Sequence, residues 1–306
     1  MSENSPYTPQ EVAKILKISK FTVYEMIKRG DLAAYHIGRK VRVDARDLDL
    51  YIQKSRGTSP VQMPSAASAP IPSGFIICGQ DTVLDILTRY LEKELPQVSV
   101  LRNYVGSMEG LLALYHNTAN VATSHLWDGD TDTYNLPYIR SLLPGHRAVL
   151  INLVYRNIGF YVAKNNPLNI TGWQDLTKPD LRLINRERGS GARVLLDEQL
   201  RKLDIDFSTL RGYGSEETSH LTVASTVARG DADVGVGIEK AALQVANVEF
   251  IPLRKERYDI VIRKEDLDKP HFQTLFAILR STAFRDQIAG LGGYDTVHTG
   301  QIMGQT

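Results

Sequence analysis

Between Gly57 and Ser73 the chain reads GTSPVQMPSAASAPIPS, with four prolines and no apolar period. Such a stretch stays extended and semi-rigid and joins no packed core. A chain of 306 residues interrupted in this way is expected to fold as a head, residues 1–56, a linker, residues 57–73, and a body, residues 74–306. The content, 42% hydrophobic and 23% charged, suits soluble globular pieces. No apolar run approaches the roughly 18–20 residues that span a bilayer. The opening residues MSENSP have neither the basic start nor the apolar stretch of a secretory leader. Cys78 is the single cysteine, so no internal disulfide can form and a reducing compartment fits. A cytoplasmic protein without membrane contact is the expectation.

A formal net charge of +1 hides an asymmetry. The head holds eleven Lys/Arg against seven Asp/Glu, a net of +4, and the remainder carries −3. A basic head on a slightly acidic body implies a polyanion partner for the head alone. In the head, Thr8 is a candidate N-cap, Pro9 sits at a first helical position and Glu11 can close a capping box. Val12, Ile15 and Leu16 form that helix's apolar face. Lys17-Ile18-Ser19 makes a tight turn, and Ser19 caps a second helix from Lys20 to Lys28 that Gly30 stops. Val23 and Ile27 point inward there, leaving Lys20, Thr22, Tyr24 and Lys28 outward. Two helices so joined have helix-turn-helix spacing. Residues 33–43 alternate like a hairpin turning near Gly38-Arg39, and Asp44 caps a third helix through Lys54 with Leu48 and Ile52 inward.

Residues 7–54, from YTPQEVAKILKISKFTVYEMIKRGDL to YHIGRKVRVDARDLDLYI, resemble the excisionase-type, MerR-like winged helix. The resemblance implies that the helix from Lys20 to Arg29 enters the major groove of double-stranded operator DNA. It also implies that Arg39, Lys40 and Arg42 on the wing meet phosphate or the minor groove. About 50 residues with four net charges give modest affinity, so two heads on two half-sites, and hence a homo-oligomer, are expected.

From Gly74 onward strands alternate with helices, the signature of α/β architecture. Strands are expected at Phe75–Cys78, Val98–Tyr104, Val121–Leu126, Ala148–Ile151, Gly159–Val162, Leu181–Ile184, Asp233–Gly237, Phe250–Leu253 and Tyr258–Ile262. The most telling junction is Asn185-Arg186-Glu187-Arg188-Gly189-Ser190-Gly191-Ala192-Arg193. There a buried strand hands over to a helix, from Arg193 to Lys202, with Val194, Leu195 and Leu200 apolar. Glycines let the backbone approach a ligand, the helix's first N–H groups favour an anion, and Ser190 and Arg193 add a hydroxyl and a guanidinium fork.

Four segments carry a second resemblance: SHLWDGDTDTYNLPYIRSLLPG, LINRERGSGARVLLDEQL, VARGDADVGVG, and IPLRKERYDIVI with LRSTAFRDQIAGLGGYD. They resemble the type 2 periplasmic-binding-protein fold, narrowly the substrate-binding domain of bacterial regulators and of molybdopterin-biosynthesis neighbours. The implied fold class is α/β, a small winged helix-turn-helix plus a two-lobed body. Lobe I would cover about 74–155 and 258–306, and lobe II about 156–257. A ligand would lie in the cleft between the lobes, where strands hand over to helices. Gln80, Asp81 and Thr82 are then candidate walls, with Ser107 and Met108, Ser124 and His125, Ser190, Gly191, Ala192 and Arg193, and Thr218 and Ser219. The resemblance points to molybdate or tungstate as bound ligand. Ala192 stands where the family usually has threonine, which removes one donor. Asp81 and Glu217 would repel a dianion if they faced the pocket, so a small organic ligand is the alternative.

No catalytic set emerges. Ser124, His125 and Asp128 are close only in sequence, the seven histidines lack paired zinc spacing, and GVG at residues 235–237 lacks the surroundings of a dinucleotide loop. The expectation is a ligand-responsive transcription regulator, with no enzyme activity, metal or cofactor. An excisionase-like DNA architectural factor is the rival.

Overall fold

The computed structural model describes residues 6–16, 20–29, 32–37, 40–45, 47–48, 51 and 74–306. The chain divides into two compact units after Ala67. The expected turn at residues 17–19, the Gly30 stop, the wing tip with Arg39, Ile52 and the linker lie outside the described residues.

In the head, helix α1 spans Pro9–Leu16 and α2 spans Lys20–Arg29. The capping box forms at the start of α1. Glu11 accepts from the Thr8 amide at 2.7 Å, and the Glu11 amide donates to Thr8 Oγ1 at 3.3 Å. Strands β1 (Tyr35–Ile37) and β2 (Lys40–Arg42) pair antiparallel, Tyr35 opposite Arg42. Val12, Ala13, Val23, Met26, Leu32, Val43 and Leu48 build the core. Ile15 departs from expectation: it is 47% exposed, because Ala13 takes the inward place beside Val12. Met26, not assigned inward from sequence, is buried more deeply than Ile27.

The body is built on a ten-stranded sheet. Three parallel strands, β3 (Phe75–Cys78), β4 (Val100–Asn103) and β5 (Val121–Ser124), form one half. Helices α3 (Thr82–Glu94) and α4 (Ser107–Tyr115) follow β3 and β4, and Val83, Leu84, Leu87 and Leu91 of α3 sit in the core. Short strands β6 (Trp127–Asp128) and β7 (Thr133–Tyr134) and helix α5 (Leu136–Leu142) come next.

Strand β8 then runs unbroken over sixteen residues, Ala148–Ala163. The other half holds β9 (Leu183–Arg186), α6 (Gly191–Lys202), β10 (Glu216–Glu217), α7 (His220–Ala228), β11 (Val234–Ile238) and α8 (Glu239–Ala242). Strand β12, Val248–Arg263, returns the chain. Helices α9 (Pro270–Arg280) and α10 (Thr282–Gly290) pack back onto the first half, and β13 (Tyr294–Asp295) and β14 (Ile302–Gln305) add to β8.

Sequence periodicity splits both long strands into two. The structure joins Ala148–Ile151 to Gly159–Val162, and Phe250–Leu253 to Tyr258–Ile262. Strands β8 and β12 pair antiparallel along their lengths, with register shifts between Pro252 and Arg254 and between Tyr258 and Asp259. This ribbon connects separate cores. Val149, Ile151 and Ile260 lie in one, and Ile158, Phe160 and Val162 in another.

Candidate functional site

The glycine-rich turn lies at the junction of the halves. Strand β9 ends at Arg186, Gly189 adopts φ +83°, and Ser190 caps α6 by accepting from the Arg193 amide at 3.3 Å. A Cβ at residue 191 would run into the His125 ring, so only glycine lets α6 start this close to the end of β5. From the opposite half, the Met108 amide at the start of α4 donates to the Gly189 carbonyl at 3.0 Å. Two helix starts are thereby latched face to face.

Behind that latch is a chamber of about 10 Å³. Its walls include Gln80, Ser107, Thr123, His125, Arg186, Ser190, His220 and Tyr258, and no carboxylate. The space is about that of one water, so a larger solute needs the halves to part. Arg186, 3% exposed, bonds through Nε to Glu187 at 2.6 Å and through Nη2 to Glu187 at 2.7 Å and Gln80 Oε1 at 3.0 Å. Nη2 also reaches the Thr218 carbonyl at 3.2 Å, while Nη1 takes part in none of these bonds. The Tyr258 and Thr123 hydroxyls share a hydrogen bond of 2.7 Å, and burial pushes the Tyr258 phenol up to about 12.

Next to the chamber, the middle of the ribbon carries a buried ion network. Arg156 on β8 pairs with Asp81 and, through Nε at 2.6 Å, with Glu256 on β12. Glu256 in turn meets His125 Nδ1 at 2.9 Å, and the Tyr294 hydroxyl donates to Asp81 at 2.9 Å. Burial pushes the Glu256 carboxyl up, but the charges and hydrogen bonds of His125 and Arg156 outweigh it and hold it down at about 2. Burial also works against the Arg156 charge, and Glu256 and then Asp81 raise its pKa nonetheless. The Arg156 guanidinium lies 4.2 Å from the Tyr258 ring centroid.

An outer cavity of about 400 Å³ adjoins the chamber through the shared walls Gln80 and His220. Tyr104, Leu221, Ile238 and Tyr294 give it apolar surface, with Asp85 and Lys240 as charges at its wall.

The expected wall residues divide into three groups. Gln80, Ser107, His125 and Ser190 line the chamber. Asp81, Thr82, Thr218 and Ser219 line the outer cavity with Gln80. Met108, Ser124, Gly191, Ala192 and Arg193 line neither. Arg193 is the main correction. Its fork is turned away, with Nε on Asp197 at 2.9 Å, Nη1 on Glu216 at 2.9 Å and the Tyr213 ring 4.3 Å below. Met108 uses its amide in the latch, Ser124 is wholly buried, and Ala192 packs in a core. The concern over carboxylates also resolves: the Asp81 carboxylate is held in the ion network, and Glu217 lines neither cavity.

Sequence reasoning passed over Arg186, His220, Thr123 and Tyr258 as walls. Arg186 had a signal, a charged residue closing an apolar strand at a glycine turn. The other three come from elements that meet only in the folded body.

In the head, Lys20 and Tyr24 are exposed neighbours on α2, the ammonium 5.9 Å from the ring centroid, and Thr22 is exposed beside them. Arg42 is half-buried and donates to the Val41 carbonyl at 3.0 Å. The side chains of Lys28 and Lys40, and all of Arg39, lie outside the described residues.

A family described as a PBP superfamily domain matches residues 88–280, and one described as a helix-turn-helix domain matches residues 6–56. The uncharacterized protein YvgK of Bacillus subtilis strain 168 is 43% identical over 312 residues, covering all of both chains. Two solved structures share the fold of the body. One is described as a putative phosphate ABC transporter substrate-binding protein from Clostridium perfringens, with bound phosphate. It is 16% identical, with a TM-score of 0.53, over 73% of this chain and 99% of that one. The other is a variant of ArgBP from T. maritima, 14% identical, with a TM-score of 0.52, over 72% of this chain and 93% of that one. At such identities the likeness is one of fold.

Proposed function

We propose, for a chain that belongs to the PBP superfamily by its body and carries a helix-turn-helix domain at its head, that it is a cytoplasmic transcription regulator sensing a small oxyanion. One observation carries the choice of anion. The chamber brings the Arg186 guanidinium together with the helix starts at Ser107, Ser190 and His220, and no carboxylate faces it. Oriented N–H groups and a buried cation favour negative charge over water. Molybdate and tungstate belong to the class that fits. The outer cavity supports a second reading, a small organic acid whose anionic end enters the chamber and whose remainder lies against Tyr104 and Tyr294.

The head would read operator DNA through α2 and the wing, as a homo-oligomer on paired half-sites. Ligand binding shifts an equilibrium only through differential affinity, and here the closed body is the state that the ligand would favour. The test is a thermal-shift panel of molybdate, tungstate, phosphate, sulfate and small organic acids on the full chain. A ligand at a hundred times its Kd stabilises by about 2.7 kcal/mol. Stabilisation that Arg186→Ala abolishes, with a ligand-dependent change in operator footprinting, is the expected result. Identical melting of both proteins in every anion would overturn the reading.

A further inference from the structure

His220 opens α7 and lines both the chamber and the outer cavity. It is only 8% exposed, and its Nδ1 is buried without a hydrogen-bond partner among the described residues. A polar atom left so is costly unless something completes it. The charged and titratable groups around it are Arg186 on β9, Arg156 on β8, and His125 with its ring centroid 6.4 Å away. Glu256 and Asp81 are already tied to Arg156, and Lys240 lines the outer cavity. Burial first, then Arg186, Arg156 and His125, hold the His220 pKa well below its ordinary value. The ring is therefore neutral at pH 7, with one donor and one acceptor nitrogen. With the positive charges of Arg186 and Arg156 acting on the ring, the lone pair and not the N–H is the end that suits the chamber.

Two of the other chamber groups have a hydrogen to give, whereas Thr123 donates to the Cys78 carbonyl at 3.1 Å and Tyr258 in turn to Thr123. Ser107 Oγ already accepts from the His125 amide, and Ser190 Oγ from the Arg193 amide, so each has its hydrogen left to donate. An acceptor set beside these two hydroxyl donors and Arg186 is the complement of an anion that carries a single O–H. We propose that the free ring nitrogen of His220 accepts a hydrogen bond from an O–H of the ligand, so that the site takes hydrogen-bearing tetrahedral oxyanions, phosphate and arsenate among them, ahead of sulfate and molybdate. This rests on the reading of the chamber as an anion site.

Inorganic phosphate keeps a hydrogen throughout the neutral range, whereas sulfate and molybdate carry none. A site built around a ligand hydrogen leaves its acceptor unpaired when that hydrogen is missing. Calorimetric titration of the full chain with phosphate, sulfate and molybdate, in two buffers of different ionisation enthalpy, reads the difference directly. Phosphate should bind at least thirtyfold more tightly at pH 7.5, without proton uptake. Sulfate should bind only as His220 takes a proton, its affinity falling about tenfold for each unit of rising pH. In His220→Leu the preference should shrink to within threefold. Sulfate or molybdate binding as tightly as phosphate to the unmodified protein, or His220→Leu keeping the preference, overturns the proposal while the anion site stands. The wild-type comparison decides the matter if the variant does not fold. Binding of no anion at any pH removes the anion site itself, and this proposal with it.

Discussion

The end of β9 and the start of α6 are separated by a single glycine-rich turn, each offers one buried arginine, and the two arginines face different surroundings. Arg186 divides its bonds between the Glu187 carboxylate and the chamber wall Gln80, with Nη1 in neither. Arg193 is enclosed by Asp197, Glu216 and the Tyr213 ring, and the Tyr213 hydroxyl fixes Asp197 in turn at 2.7 Å. Both side chains are almost wholly out of solvent, so burial does not tell them apart. Each guanidinium keeps one terminal nitrogen outside these bonds, Nη1 in Arg186 and Nη2 in Arg193, so the count of matched donors does not separate them either. Position does: Arg186 lines the chamber and Arg193 lines neither cavity.

The contrast can be tested in descending order of effect. Arg186→Ala should lower anion affinity by several hundredfold, about 3–4 kcal/mol, as expected for removing a buried charged contact. Retained affinity measured by calorimetry would erase the distinction. Acid provides the next largest effect, through another buried arginine, Arg156, and its partner Glu256. The Glu256 carboxyl titrates at about 2 in the fold against an ordinary 4.5. The unfolded chain binds more protons between those values, so the stabilisation is complete above pH 4.5 and disappears as the pH falls toward 2. It amounts to about 3 kcal/mol at about 1.36 kcal/mol per unit, and Glu256→Gln should flatten that limb of a denaturation series. Arg193→Ala should cost about 1–3 kcal/mol of stability through lost packing and charged hydrogen bonds, yet leave anion affinity within threefold. Ser190→Ala should cost about 1 kcal/mol as a lost helix cap, with a smaller loss of affinity.

Much of this architecture was legible in the sequence. The capping box at Thr8 and Glu11 and the strand-helix alternation of the body both follow from local chemistry that needs no distant partner. The junctions around Gln80, Ser107 and Ser190 were legible for the same reason, since helix starts announce themselves. The reading failed where residues answer to something far away. Tyr155-Arg156-Asn157 and Arg254 to Arg257 interrupt the apolar runs of β8 and β12, so each long strand reads as two short ones. Those polar residues are in the ribbon because they face one another across it, Arg156 opposite Glu256. Arg193 looked available because it stands at a glycine turn, but Asp197 one helical turn on, Glu216 from β10 and the Tyr213 ring together turn it away. Ile15 fits the helical stripe of α1 by spacing, but the small head core is filled at Ala13.

The unbroken ribbon of β8 and β12 has a thermodynamic consequence. Backbone pairing runs from one half of the body to the other, interrupted at the two register shifts, so neither half can melt without fraying pairs that the other depends on. The body should therefore denature in one cooperative step, its amides at residues 150–160 exchanging with solvent only when the whole unit opens. Twisting that double strand would let the halves move apart while its paired rungs stay intact.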